Sequence, residues 1–118
     1  MARYVDGFLL PVPKKSVDAY RRLARKAGAI WREHGALEYR ECIAEDVSAK
    51  GAVSFPRGVR LKRGETVFFA WIVYKSRAHR DRVVAKVMKD SRLAADAKAM
   101  PFDVRRMAYG GFRIVVEA

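Results

Sequence analysis

The chain has 118 residues, of which 51% are hydrophobic, so it forms one domain with a true core, because folding at this size hides roughly two-thirds of the unfolded surface. Lys plus Arg number 25 against 13 for Asp plus Glu, and the resulting net charge of +12 makes an anionic partner a class to be weighed. A lone cysteine excludes an internal disulfide, and one Cys with two His argues against a structural zinc site, which takes four such ligands.

In chain order, the opening MARYVDGFLLPVPKK places Asp6 and Gly7 before a short apolar stretch and two lysines after it, the reverse of a secretory leader. Tyr4 to Leu10, stopped by Pro11 and Pro13, reads as the first strand. From there Val17, Tyr20, Ala24, Ala27 and Trp31 recur at spacings of three and four with arginines between them, which predicts an amphipathic helix opened by Ser16 or Pro13 and closed by Gly35. Leu37 to Ile43 alternates as a strand with one wet face. Residues 45 to 65 lack periodicity and form a flap with a short strand near Val59 to Leu61, expected to be mobile and to close over a cavity or pack on a second subunit.

Val67 to Tyr74 (VFFAWIVY) is apolar on both parities, as a central strand buried on both faces should be. It is also the longest strongly apolar run, far short of the ~20 residues of a membrane-spanning helix, so no membrane partner is expected. Ser76 caps a second helix with Val83, Val84, Val87 and Met88 inward and Arg77, Arg80, Arg82, Lys86 and Lys89 outward. Asp90 or Ser91 starts a further helical turn through Ala97, which Pro101 stops. The last strand, Tyr109 to Glu117, carries Gly110 and Gly111, which permit a bulge or a close backbone approach.

The order β-α-β, flap, β-α-β predicts an α+β, ferredoxin-like fold: a four-stranded antiparallel sheet with both helices on one face. If Val5, Leu9, Phe112, Ile114 and Val116 point to the helices, alternation sends Tyr4, Asp6, Phe8, Leu10, Trp71, Tyr109 and Arg113 to the bare face. An exposed patch of Phe8, Leu10, Trp71 and Tyr109 exceeds the few hundred square ångströms that monomers tolerate, which predicts a homodimer with the sheets face to face around a cavity.

Four blocks in this order, YVDGFLLPVPK, WREHGALEYREC, FAWIVYKSRAHRD and MPFDVRRMAYGGF, resemble the YbaA-like family of bacterial proteins, a domain of unknown function numbered 1428. The resemblance implies the dimeric α/β-barrel superfamily, in which two ferredoxin-like subunits join their bare sheet faces. It implies no catalytic residues, since cofactor-free monooxygenases, haem enzymes and ligand-binding proteins share that fold.

Several chemistries fail on spacing. Gly58 and Gly64 do not make a phosphate loop, since Glu65 stands where Lys is needed. No serine sits in a G-x-S-x-G elbow, and His34 and His79 fall on different helices, which leaves no hydrolase triad legible. Asp6, a carboxylate within an apolar strand, needs a partner, and Arg113 on the neighbouring last strand is expected to supply it, either as a register-fixing ion pair or within a ligand site. His34 is expected at the carbonyls ending the first helix and Cys42, with Glu41 beside it, as inert packing.

The cavity candidates are Asp6, Phe8, Trp71, His79, Tyr109 and Arg113, with no metal and no cofactor. The function expected is that of a cytoplasmic homodimer binding a small hydrophobic, oxygen-bearing molecule, with a cofactor-independent monooxygenase as the alternative. A second alternative, a basic nucleic-acid-binding module, has the right element order. It lacks the aromatic signature on the third strand, and the basic residues lie mostly on the helices, so nucleic acid is not the expected partner.

Overall fold

The computed structural model describes residues 2–118. Strand β1 (Tyr4–Pro13) passes through a 3-10 turn into helix α1 (Val17–Glu33), and β2 (Glu38–Ile43), the one-turn helix α2 (Phe55–Gly58) and β3 (Glu65–Tyr74) follow. Helices α3 (Arg77–Met88) and α4 (Ser91–Asp96) then lead to β4 (Ala108–Arg113). The strands lie in the order β2-β3-β1-β4 with every neighbouring pair antiparallel, the ferredoxin-like arrangement.

Local chemistry accounts for the boundaries. Tyr20, Ala24, Ala27 and Ile30 form the buried stripe of α1, and Gly35 ends the helix at φ +116°, a backbone conformation that favours glycine. The Ser76 side chain accepts from the His79 amide at 3.1 Å and Asp90 accepts from the Arg92 amide at 3.0 Å, so α3 and α4 begin where their caps do. On α3, Val83 and Val87 are buried, whereas Met88, expected inside, is 68% exposed. The final strand stops at Arg113, short of the expected Glu117, and leaves Val115 and Val116 exposed. Its register is continuous, without a bulge, and Gly111 is the close approach: a Cβ there would collide with the Tyr4 ring.

The flap holds a helical turn at Phe55–Gly58, and Val59 to Leu61, expected as a short strand, is a turn leading out of it. Pro56 sets a helical φ in the first turn and the Ser54 hydroxyl caps it from Arg57, which favours α2 over an extended segment. The turn lies on the sheet face away from the long helices: Phe55 meets the Phe69 ring at 6.0 Å, Gly58 faces Leu9, and Val59 is buried.

The two faces are the reverse of the expected assignment. Tyr4, Phe8, Leu10 and Val12 of β1 and Phe68, Ile72 and Tyr74 of β3 all belong to the core under the helices. Residues directly opposite on paired strands share a face, so Tyr109, opposite Phe8, and Arg113, opposite Tyr4, are on the helix side as well. The open face shows Val5, Leu9, Phe69, Trp71 and Phe112. Only Trp71 of the residues assigned to the bare face is there. The cause is that β1 is apolar on both parities, since the flap covers Leu9 while the helices cover Leu10, and such a strand carries no facing information.

Candidate functional site

A cavity of about 400 Å³ lies within the single chain, between the helix face of the sheet and α1, α3 and α4. Phe8, Leu10, Ala70 and Ile72 form its floor, Leu23, Ala27 and Trp31 of α1 one wall, and Leu93, Met100 and Phe102 the roof. Its volume falls in the range of roughly 300–1,000 Å³ typical of small-molecule sites, and its lining is almost wholly apolar.

The charged exceptions are Glu41 on β2 and Asp96 at the end of α4, and Asp96 is paired with Lys26 at 2.9 Å. The Tyr20 hydroxyl donates to Glu41 Oε1 at 2.9 Å and the Tyr39 hydroxyl to Oε2 at 2.8 Å, so each carboxylate oxygen holds one phenol. Tyr20 is buried and packs on Phe68 at 4.6 Å between ring centroids, which fixes its hydroxyl. Burial pushes the Glu41 carboxyl above the ordinary glutamate value, against the opposing pull of the Tyr39 and Tyr20 hydrogen bonds. Both phenols are pushed far up, first by burial and then by the Glu41 charge. A carboxyl shifted upward exchanges protons closer to neutrality than a solvated glutamate does, so the group can accept a proton from, or donate one to, an oxygen bound beside it.

Tyr39 and Glu41 also face a second space, an open groove of about 660 Å³ on the outer flank of α1. Its bank carries Arg21, Arg25 and Arg32, and its floor Ala24, Gly28, Phe68 and Ile43. Gly28 is required by close approach, since a Cβ there would stand 2.7 Å from Tyr39 Cδ1.

The expected site residues scatter. Asp6 is buried on the helix side and accepts from Arg80 Nη1 of α3 at 2.8 Å, with the Arg80 guanidinium 5.0 Å from the Tyr4 ring centroid. Arg113 is therefore not its partner: it is exposed near the end of edge strand β4, opposite Tyr4, while α3 delivers Arg80 across the face. Burial raises the Asp6 pKa and the Arg80 charge opposes it.

Phe8 lines the cavity and stacks on Tyr109 at 6.0 Å, but Tyr109 itself is 71% exposed on the edge strand. Trp71 is on the open face, where its indole N–H donates to Glu38 Oε1 at 3.2 Å. His79 accepts from the Lys75 amide at Nδ1 over 2.9 Å, and burial, with help from the Lys75, Arg82 and Lys86 charges, lowers its pKa. His34, expected at helix carbonyls, instead meets Asp90 Oδ2 at 2.8 Å, joining α1 to the α3–α4 junction. Cys42 is half-buried on the open face opposite Phe69. Among the described residues no three His, Cys, Asp or Glu are grouped to hold a metal ion.

Sequence reasoning missed Glu41, Tyr20 and Tyr39. The signal was present in LEYRECI, where Glu41 shares the parity of Tyr39 and Ile43, so a carboxylate lies on the strand's apolar side just as Asp6 does in β1.

The sequence profile of the family described as "Protein of unknown function (DUF1428)" matches residues 3–104. The chain is 42% identical over 115 residues to the "Uncharacterized protein YbaA" of Escherichia coli K12, covering 98% of each chain, and equally to that of Shigella flexneri. The chain belongs to this family. Its fold is similar to that of SnoaB, a cofactor-independent oxygenase from Streptomyces nogalater, with a TM-score of 0.63 at 12% identity over 99% of this chain and 97% of that one. It is also similar to a nipsnap family protein of unknown function from Agrobacterium tumefaciens, with a TM-score of 0.59 at 14% identity over 96% and 88% of the two chains.

Proposed function

We propose that this DUF1428 protein binds one small, largely apolar molecule bearing a hydroxyl or carbonyl oxygen, held between its own sheet and helices with that oxygen on the Glu41 carboxyl. The observation that carries the reading is the apolar cavity of about 400 Å³ with the Glu41 carboxyl, held by two phenols, in its wall. An apolar body contributes affinity by leaving water, and the Glu41 cluster fixes its orientation. Phe8 is the sole residue of the sequence-derived set with a place in this site.

A second reading, cofactor-independent oxygenation of such a compound, is supported by the likeness to SnoaB along nearly the whole chain and by the position of Glu41. There Glu41 would take the proton of an acidic substrate O–H or C–H, leaving an electron-rich anion to react with dioxygen. The assembly we propose is a homodimer in a reducing cytoplasm, joined through the open sheet face, where Phe69 and Phe112 are 44% and 63% exposed beside Trp71.

Titration with the uncharged fluorophore N-phenyl-1-naphthylamine tests the site. Saturable binding, one probe per chain, that disappears in Ala70→Phe while circular dichroism is unchanged is the expected result. A wild-type protein that ignores the probe, or an Ala70→Phe variant that binds it equally well, overturns the reading. Incorporation of label from 18O2 into 1,4-dihydroxynaphthalene above the protein-free rate, present in the wild type and lost in Glu41→Gln, would favour the oxygenase over a binding protein. Light scattering tests the assembly: a mass twice the 13.4 kDa chain is expected, and Trp71→Glu should return it to one.

A further inference from the structure

The groove outside α1 has features that an ordinary solvated helix face lacks. Arg21, Arg25 and Arg32, spaced by four and then seven residues, stand in one line along the helix. They do not edge a flat surface: the space beneath them is about 660 Å³, floored by Ala24, Gly28 and Phe68 and bounded across the way by half-exposed Ile43. Lys26 of α1 pairs with Asp96 at 2.9 Å, and Arg32, on the bank itself, donates to the Leu37 carbonyl. Among the described residues, Arg21 and Arg25 hold no carboxylate. The groove also shares Tyr39 and Glu41 with the inner cavity, so the two spaces meet at the same pair of side chains.

We infer that this groove recognises the anionic group of the ligand, and that the compound is therefore an amphipathic anion: an apolar ring or chain carrying one carboxylate, sulfonate or phosphate. The inference rests on the binding function proposed above and narrows its ligand class. The arginines take the charge through bidentate hydrogen bonds, the Ala24–Gly28 floor lets the anionic end lie close to the helix, and the Tyr39 ring is the wall it shares with the inner cavity that holds the apolar body. A net charge of +12 raises the local concentration of any such anion, while the two free guanidiniums give it a fixed position.

A matched pair of probes tests this: 8-anilinonaphthalene-1-sulfonate and N-phenyl-1-naphthylamine, which differ by the sulfonate. In the folded wild-type protein the sulfonate should bind more tightly, and Arg21→Gln with Arg25→Gln should weaken it about tenfold while leaving the uncharged probe unchanged. Removing two charges elsewhere, by Arg22→Gln with Arg77→Gln, should leave both probes unchanged. These positions are exposed, and thermal unfolding monitors the fold of each variant. The inference is overturned if the Arg21/Arg25 variant binds the sulfonate as the wild type does, if both probes weaken alike, or if the remote variant has the same effect. It is also overturned if a short oligonucleotide displaces the sulfonate at physiological salt, which would make the groove a polyanion surface. Failure of the uncharged probe to bind at all, with the sulfonate still dependent on Arg21 and Arg25, would remove the inner-cavity reading and leave the anion groove standing.

Discussion

The two faces of the sheet are built from the same four strands and solve opposite problems. Beneath the helices, each carboxylate has a dedicated partner: Asp6 has Arg80, and Glu41 has Tyr20 and Tyr39. On the open face Phe69 and Phe112 keep much of their surface in water, and the polar chemistry beside Trp71 is that of Glu38, which accepts from its indole N–H and pairs with Arg40 at 3.0 Å. In the homodimer proposed above, the chemistry belongs to the single chain and the apolar surplus to assembly. Alternation along a strand separates the two, so a substitution one residue along acts on the other property.

The largest effect that tests this separation is expected at Tyr20. Its ring is 2% exposed and meets both Phe68 and Phe102, so Tyr20→Ala removes a packed aromatic and one of the two hydroxyls on Glu41. The expected loss is about 3–5 kcal/mol, independent of protein concentration in chemical denaturation. Phe112→Ala, on the other face, should cost little at high dilution and acquire its effect only as concentration rises, because its cost is to association. Equal, concentration-independent losses at both positions would break the distinction between the faces.

A smaller effect is expected for the ion pair. Asp6→Ala leaves the Arg80 guanidinium without its buried partner and should cost about 1–3 kcal/mol, moderated because Arg80 also donates to Asp81 at 2.8 Å. Asp6→Ala with Arg80→Met should cost less than the sum of the single changes, whereas pairing Asp6→Ala with Arg113→Met should be additive. A thermodynamic cycle from urea denaturation decides which arginine is coupled to Asp6.

The element order, the caps at Ser76 and Asp90 and the stop at Gly35 were legible in the sequence because each is a local signal: a period of 3.6, a side chain that accepts an amide, a φ that glycine tolerates. The facing of β1 was not legible, because helices cover Leu10 while the flap covers Leu9, and both parities are therefore apolar. Asp6 announced that it needed a partner but not which one, since α3 brings Arg80 from 74 residues away. The cavity beneath the helices went unread for the same reason as the face. Its carboxyl was within reach of the same argument, because Glu41 lies on the apolar parity of β2.

The smallest effect is the most specific to the proposed site. Burial raises the Glu41 pKa above its ordinary 4.5, so the folded protein holds this proton at pH values where the unfolded chain has released it. The contribution of Glu41 to stability is therefore fully present below about 4.5 and is lost as pH rises through the higher folded value. Glu33, Glu38, Glu65, Asp90 and Asp103 have lowered values and act in the opposite sense, gaining stability with pH, so the wild-type profile alone is a sum of both. The difference between the wild type and Glu41→Gln isolates one group. Urea denaturation between pH 4 and pH 8 should show wild-type stability falling relative to the variant as pH rises, because glutamine has no proton to lose. A difference that is flat, or that grows in favour of the wild type, would mean that burial does not raise the Glu41 pKa, and it would remove the argument that Glu41 exchanges protons closer to neutrality than a solvated glutamate does.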